Sequence, residues 1–285
     1  MARVGSDSQQ AERIDAALSE WHQGDAALEE RWFTHVAEPA LSLTPESAQA
    51  DEGLQAITSE VEGLVVVTQT CDVVRSCVAR PFVEAAPLVQ VSGAALHEVE
   101  KGRRPAQAFL PALAERKLVV DLDRIMTVEK SVVASWTRTP GCGTDREIRA
   151  FALALARKRA RVAFPNDFVA LASNLTKRMS SKHDKDSDEG RALRALREIR
   201  VHAAPAWEAD EVVLTFWFIR GEDAPGFEER RWDHYLDGWL ERLHTAGRFT
   251  SIDGAIQTLD DLTAREYVES DPLDLDHLSP RDDPA

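Results

Sequence analysis

A chain of 285 residues with 44% apolar content is long enough for two cores, and no apolar run reaches the roughly 18 residues of a membrane span. A net charge of -15 and a pI near 5.0 exclude broad, salt-driven binding to nucleic acid, which needs an excess of cations facing phosphates. Cys71, Cys77 and Cys142 are an odd, sparse set for a disulfide scaffold, and the polar amino terminus lacks the apolar core of a secretory signal, so a cytoplasmic protein is expected.

Ile14, Leu18 and Trp21 share one helical face over Ala11 to Trp21, and Gly24 and Asp25 end that helix in a turn. Ala26 to Val36 fits a strand or a helix. Glu38 to Gly53, with Pro39 and Pro45, reads as a surface loop. Gly63 to Val67 and Phe82 to Val91 are strands on their branched and aromatic residues, Glu98 to Pro105 is an exposed excursion, and Leu118 to Val128 returns as extended structure. Glu129 to Ser135 is helical or irregular.

Thr144-Asp-Arg-Glu147 is a capping-box pattern and predicts a helix with Ile148, Phe151, Leu155 and Val162 along its buried stripe. Phe164-Pro-Asn-Asp-Phe168 breaks it, and Ser180 to Asp188 reads as a solvated loop. A short helix through Leu193, Leu196 and Ile199 precedes two neighbouring strands, Ile199 to His202 and Glu211 to Ile219, around a turn at Ala206 to Asp210. The second strand is apolar on both faces, which predicts a central, covered strand. Trp232, Tyr235, Leu236, Trp239, Leu240 and Leu243 then form the strongest helical stripe in the chain, and that helix is expected to cover the sheet. Tyr267 to Ala285 is acidic and proline-bearing, a docked or loose tail.

Gly24-Asp25, the strand Gly63-Leu-Val-Val-Val-Thr68, a strand ending in Ala86-Pro-Leu88, and Val119-Val-Asp-Leu-Asp-Arg-Ile-Met-Thr-Val128 leading into a helix stand in an order that resembles the MazF/PemK-like toxins. The resemblance covers roughly Trp21 to Ser135. It implies an SH3-like β-barrel domain over residues 1–140; the helices and strands read after Thr144 add an α+β domain with a small helix-covered sheet over 141–258 and the acidic residues a tail over 259–285, for an α+β fold class. It further implies a toxin-like or defence-associated bacterial protein that binds or cleaves single-stranded RNA without metal or other cofactor. A protein partner or antitoxin, a homodimer and no membrane complete the expected associations. The chain departs from the family pattern: Glu60-Val-Glu62-Gly63 stands where an arginine followed by proline is expected, and Leu88 is followed by Val89 and Gln90 instead of threonine and serine. An alternative is an inactive, MazF-like interaction module that binds a protein partner.

The candidate catalytic groups are Thr68, Asp72, Arg75 and Arg80, with Gln69 and the basic residues Arg157, Lys158 and Arg161 as substrate contacts. Lys177, Arg178, Lys182 and His183 extend the basic stretch. Cys71 beside Asp72 would need a histidine such as His22, His35 or His97, or a cation, to become a nucleophile. Asp121 and Asp123, with Lys130 near in sequence, offer a magnesium alternative, whereas the scattered cysteines and histidines give no zinc spacing.

Overall fold

The computed structural model describes residues 4–51, 53–102, 104–160, 163–183, 185–221 and 232–273, and the chain divides into two compact units, Met1–Ala160 and Arg161–Ala285. In the first unit the order is α1 (Val4–Leu18), β1 (Ala26–Ala27), β2 (Trp32–Ala37), β3 (Gln55–Glu60), β4 (Leu64–Val66), α2 (Thr70–Val73), β5 (Phe82–Gln90), α3 (Gly93–Glu100), β6 (Gln107–Ala108), β7 (Leu118–Asp121), β8 (Met126–Glu129), α4 (Lys130–Val133) and α5 (Asp145–Arg159). Ala26 to Val36 therefore holds strands, the loop after Glu38 contains two short 3-10 turns, and the excursion expected from Glu98 begins only after α3 ends at Glu100.

Leu64-Val-Val-Val67 is a continuous apolar run because β4 is covered on both sides. Leu64 and Val66 enter a core with Leu18, Trp21, Val83, Met126, Val133 and Trp136. Val65 and Val67 alternate into a second core with Leu88, Leu110, Leu113, Val120, Phe151 and Leu155. The first core is built against α1 and α4 and the second against α5, so α5 belongs to this unit and the division falls after Ala160, not after residue 140. The Thr144–Glu147 capping box forms in full at the start of α5. Phe151 and Leu155 are buried as predicted, Ile148 is half-buried, and Val162 lies outside the described residues.

The strands run β1-β4-β5-β7-β6, with β8 also on β5, and β2 pairs with β3 in a separate hairpin; all of these pairs are antiparallel. β5 is shared: residues 82–85 pair with β8 and residues 88–90 with β7. The change of partner brackets Pro87, which has no N–H to give to a ladder. Leu118 to Val128 splits into β7 and β8 because Asp121 Oδ1 accepts from the Asp123 amide, closing a side-chain turn. Among the described residues this path is open and does not close into a barrel.

The second unit runs α6 (Asn166–His183), α7 (Asp188–Ala195), β9 (Leu196–Ala204), β10 (Val212–Arg220), α8 (Trp232–Leu240), β11 (Phe249–Gln257), α9 (Ala264–Glu269) and β12 (Asp271–Pro272). Its sheet has the order β11-β10-β9-β12, with β10 and β11 parallel and the other pairs antiparallel. The α+β class thus holds for the chain.

β10 is central, as its composition demands. Val212, Leu214, Phe216 and Phe218 are buried against Phe168 and Leu175 of α6 and Tyr235 and Trp239 of α8, so the Trp232 stripe does cover the sheet. The opposite face departs from the expectation of full cover: among the described residues Val213 is exposed and Trp217 half-buried, and only Ile219 is enclosed. The loop expected from Ser180 begins later, because α6 continues to His183. Of the acidic tail, the part through Leu273 is docked: the Leu273 amide donates to the Ile199 carbonyl and its side chain is buried, and residues 274–285 lie outside the described residues.

Candidate functional site

The turn after α1 is built around Gly24. Its φ of +96° is open to glycine at no steric cost, and a Cβ there would lie 3.3 Å from the Phe151 ring. Gly141 is needed beside it, since a Cβ on Gly141 would lie 2.0 Å from the Gly24 carbonyl oxygen. The Gly24 amide donates to Val66 O at 2.8 Å, and Ala26 and Thr139 exchange backbone bonds at 2.8 and 2.7 Å. These contacts bring the turn, the end of β4 and the segment after α4 to one corner.

At that corner Asp25 is 3% exposed, and its Oδ2 accepts from the His22 amide at 2.8 Å and from Arg138 Nε at 2.6 Å. Such charge-assisted bonds are the strong class, and the buried carboxylate fixes the guanidinium in place. His22 Nδ1 lies 3.4 Å from Arg138 Nη2 and 3.6 Å from Asp25 Oδ2, while its side chain is 45% exposed. Nδ1 thus faces a donor and a carboxylate, and Nε2 makes no hydrogen bond among the described residues. With the ring proton on Nδ1, Nε2 is the hydrogen-bond acceptor and can act as a base; with Nδ1 accepting from Arg138, Nε2 carries the proton and donates a hydrogen bond. Gln23 closes the corner against α2, its amide donating to Thr70 Oγ1 at 3.0 Å and its side-chain nitrogen to Val67 O at 2.8 Å.

α2 connects this corner to a second cluster. Lys130 is fully buried at the start of α4, and its Nζ donates to the carbonyls of Asp72 at 2.8 Å and Arg75 at 2.5 Å. Burial pulls the ammonium below the usual lysine range, opposed by Asp15, Cys77 and Asp72. Lys130 therefore serves the Thr70–Arg75 segment and not the Asp121 and Asp123 carboxylates. Asp121 is taken by Arg124 Nε at 2.7 Å and Asp123 pairs with Lys158 Nζ; among the described residues no group of three or more His, Cys, Asp or Glu side chains could hold a metal.

Asp15 accepts from the Cys77 amide at 2.7 Å, and this bond holds its carboxyl below the usual range. The folded state then binds fewer protons than the unfolded chain below about pH 4, so this stabilisation is present above that pH and lost as the pH falls. Asp15→Asn is expected to flatten the acid limb of a stability-against-pH curve measured by denaturant unfolding.

The predicted site residues divide between these places. Thr68 Oγ1 accepts the Glu84 amide at 2.6 Å, tying β4 to β5. Asp72 and Arg75 form an ion pair at 3.8 Å on the surface, and Arg80 is exposed on the same segment. Gln69 is exposed at the start of α2 and accepts from Cys71 Sγ at 3.8 Å. Cys71 is exposed with no imidazole or ammonium bonded to it among the described residues; His22 faces Asp25, His97 faces Glu100 at 3.5 Å and His35 stacks on Phe33. Arg157 donates to the Gly102 carbonyl, Lys158 pairs with Asp123, and Arg159 reaches Glu84 at 2.5 Å, so the end of α5 is bound into its own unit. Arg161 lies outside the described residues.

Arg138 is not among the candidates the sequence offers, and His22 stands there only as a partner for Cys71. The signal for His22 was its place beside Gly24-Asp25; for Arg138 there was none, because it meets Asp25 across 113 residues of chain. No helix among the described residues is long and apolar enough to cross a membrane. No protein-family model, curated protein or solved structure matches this chain.

Proposed function

We propose that the first unit binds and cleaves single-stranded RNA at the His22–Arg138 corner, as part of a toxin-like or defence-associated protein. The observation that carries this reading is the exposed imidazole set 3.4 Å from a guanidinium, both anchored by the buried Asp25. With its ring proton on Nδ1, turned toward Asp25 Oδ2 3.6 Å away, His22 takes the proton of the ribose 2′-hydroxyl on Nε2, the freed oxygen attacks phosphorus, and the bond from phosphorus to the 5′-oxygen breaks. Arg138 carries the charge gathering on the phosphate oxygens, and the imidazolium returns its proton to the departing 5′-oxygen. The products are a 2′,3′-cyclic phosphate and a 5′-hydroxyl. Thr70 and Gln69 lie along the start of α2 where the flanking nucleotides would pass. The order of motifs shared with MazF/PemK-like toxins supports the same substrate class.

The test is incubation of the purified chain with end-labelled single-stranded RNA in the presence of a chelator. Cleavage leaving those ends is expected, with His22→Gln slowing it about 100-fold. Absence of cleavage and of salt-sensitive binding would remove the proposal, as would full activity in His22→Gln.

Exposed Leu41, Leu43 and Leu54, at 78, 98 and 76%, favour a second reading in which this unit is a module for a protein partner. A stoichiometric protein complex formed by a chain inert toward RNA would select it.

A further inference from the structure

In the first unit, large apolar side chains gather on the outer side of the β2–β3 hairpin and in the loop that joins its strands. Val36 pairs with Ala56, and strand alternation puts Leu54, just before β3, on the same face as both. Phe33 and Ile57 on the opposite face are buried, so the face of Val36 looks to solvent, and Val36 is 67% exposed. Leu41 and Leu43, more exposed still, lie in the loop, whose two 3-10 turns, Pro39–Leu41 and Ser47–Gln49, pack against each other. The loop is held in shape, with Ser47 buried and donating to Thr44 O at 3.0 Å, and Gln55 Nε2 donating to Asp51 O at 2.9 Å. A large apolar surface kept in water at one end of a hairpin marks an interaction site.

The surrounding charge restricts what can sit there. Residues 36–60 include Glu38, Glu46, Asp51, Glu52 and Glu60 and no lysine or arginine. Glu46, Asp51 and Glu60 are exposed, and none of the three pairs with a cation among the described residues. A second copy docked through the same patch about a two-fold axis would set these carboxylates against themselves, and an anionic lipid surface would be repelled. The apolar groups are side chains standing off a strand face and a loop. The stripe of a helix covers such groups, whereas an added edge strand would pair with the backbone instead.

We infer that this face binds a cationic amphipathic helix of a partner protein. The apolar stripe of the helix lies on Val36, Leu41, Leu43 and Leu54, and its flanking lysines or arginines meet Glu46, Asp51 and Glu60. The inference rests on the partner-binding reading of these leucines and adds the chemistry of the partner. It uses no residue of the His22–Arg138 corner, so RNA cleavage is scored separately.

A labelled leucine–lysine peptide of about 18 residues, patterned as an amphipathic helix and titrated with the intact chain by fluorescence anisotropy, tests it. Saturable one-to-one binding is expected. Leu41→Ser/Leu43→Ser/Leu54→Ser should weaken it at least tenfold and leave any RNA cleavage unchanged. Glu46→Lys/Asp51→Lys, and a rise in salt from about 0.05 to about 0.5 M, should each weaken it several-fold. Because every substituted residue is exposed, the far-UV circular dichroism of both variants should match the parent. A peptide with glutamate in place of lysine should not bind; its binding through the same leucines would keep the partner-binding reading and overturn the cationic assignment. No binding of the lysine peptide, binding indifferent to the leucine variant, or a leucine-dependent dimer of the chain alone in sedimentation also overturns the inference.

Discussion

Asp25→Ala is expected to destabilise the first unit by about 2–4 kcal/mol and to abolish any activity of the corner. The carboxylate is 3% exposed and accepts two bonds from groups that cannot turn elsewhere, the His22 amide and Arg138 Nε. Its removal leaves the guanidinium, 30% exposed, without its counter-charge, and that remaining access to water keeps the expected cost below the upper range for fully buried pairs. Asp25→Asn keeps an acceptor oxygen for one of the two donors but not the charge, and about half the loss is expected. Trp21, Trp32 and Trp136 pack edge to face with ring centroids 6.2 and 6.4 Å apart within this unit. Their fluorescence in urea unfolding, read against variants of the second unit, isolates the effect. A cost under about 0.5 kcal/mol for Asp25→Ala, the level of an ordinary surface substitution, would show that the corner does not hold the turn together.

Lys130→Met is expected to cost about 2–3 kcal/mol and to release the Thr70–Arg80 segment. Methionine keeps the apolar stem but leaves the carbonyls of Asp72 and Arg75 without the ammonium that satisfies them, and bonds to a charged donor contribute about 1.5–3 kcal/mol each. Relief from burying a charge offsets part of that loss, which is why the net falls below the sum. Lys130→Ala adds a cavity in a fully buried position and should cost more. Hydrogen exchange at the Val73 and Val74 amides, bonded to Gln69 and Thr70 carbonyls, reads the effect locally. Unchanged protection there in Lys130→Met would mean that the segment is held by Val73 packing alone.

The two predictions bear on the same stretch of chain from opposite ends. Thr70 is bonded to Gln23 at the His22–Arg138 corner, and the carbonyls of Asp72 and Arg75 end on Lys130. α2 is one turn long and makes too few internal bonds to persist alone, so its geometry comes from these outside partners. Loss of either anchor should therefore blur the other site through α2.

The sequence by itself determined what depends on neighbours in the chain. The Leu64-Val-Val-Val67 run marked a strand, the Thr144–Glu147 box opened α5, and the Trp232 to Leu243 stripe marked the helix over the second sheet, because capping and periodic burial are written within a few residues. β11 escaped notice since Phe249-Thr-Ser-Ile-Asp-Gly-Ala-Ile-Gln257 carries mostly half-buried small and polar side chains, and its strand state comes from pairing with β10. The membership of α5 in the first unit was likewise undecided locally: Phe151 and Leu155 would fit any apolar surface, and the second apolar face of β4 and β5 is what claimed them. The candidate site follows the same rule. Thr68, Gln69, Asp72 and Arg75 were visible as a polar cluster at a strand end, yet only tertiary structure decided that Thr68 ties two strands, that Lys130 turns to α2 and that Arg138 crosses 113 residues to reach Asp25. A buried charge takes its partner from whatever the fold places within hydrogen-bond reach, and distance along the chain carries no trace of that choice.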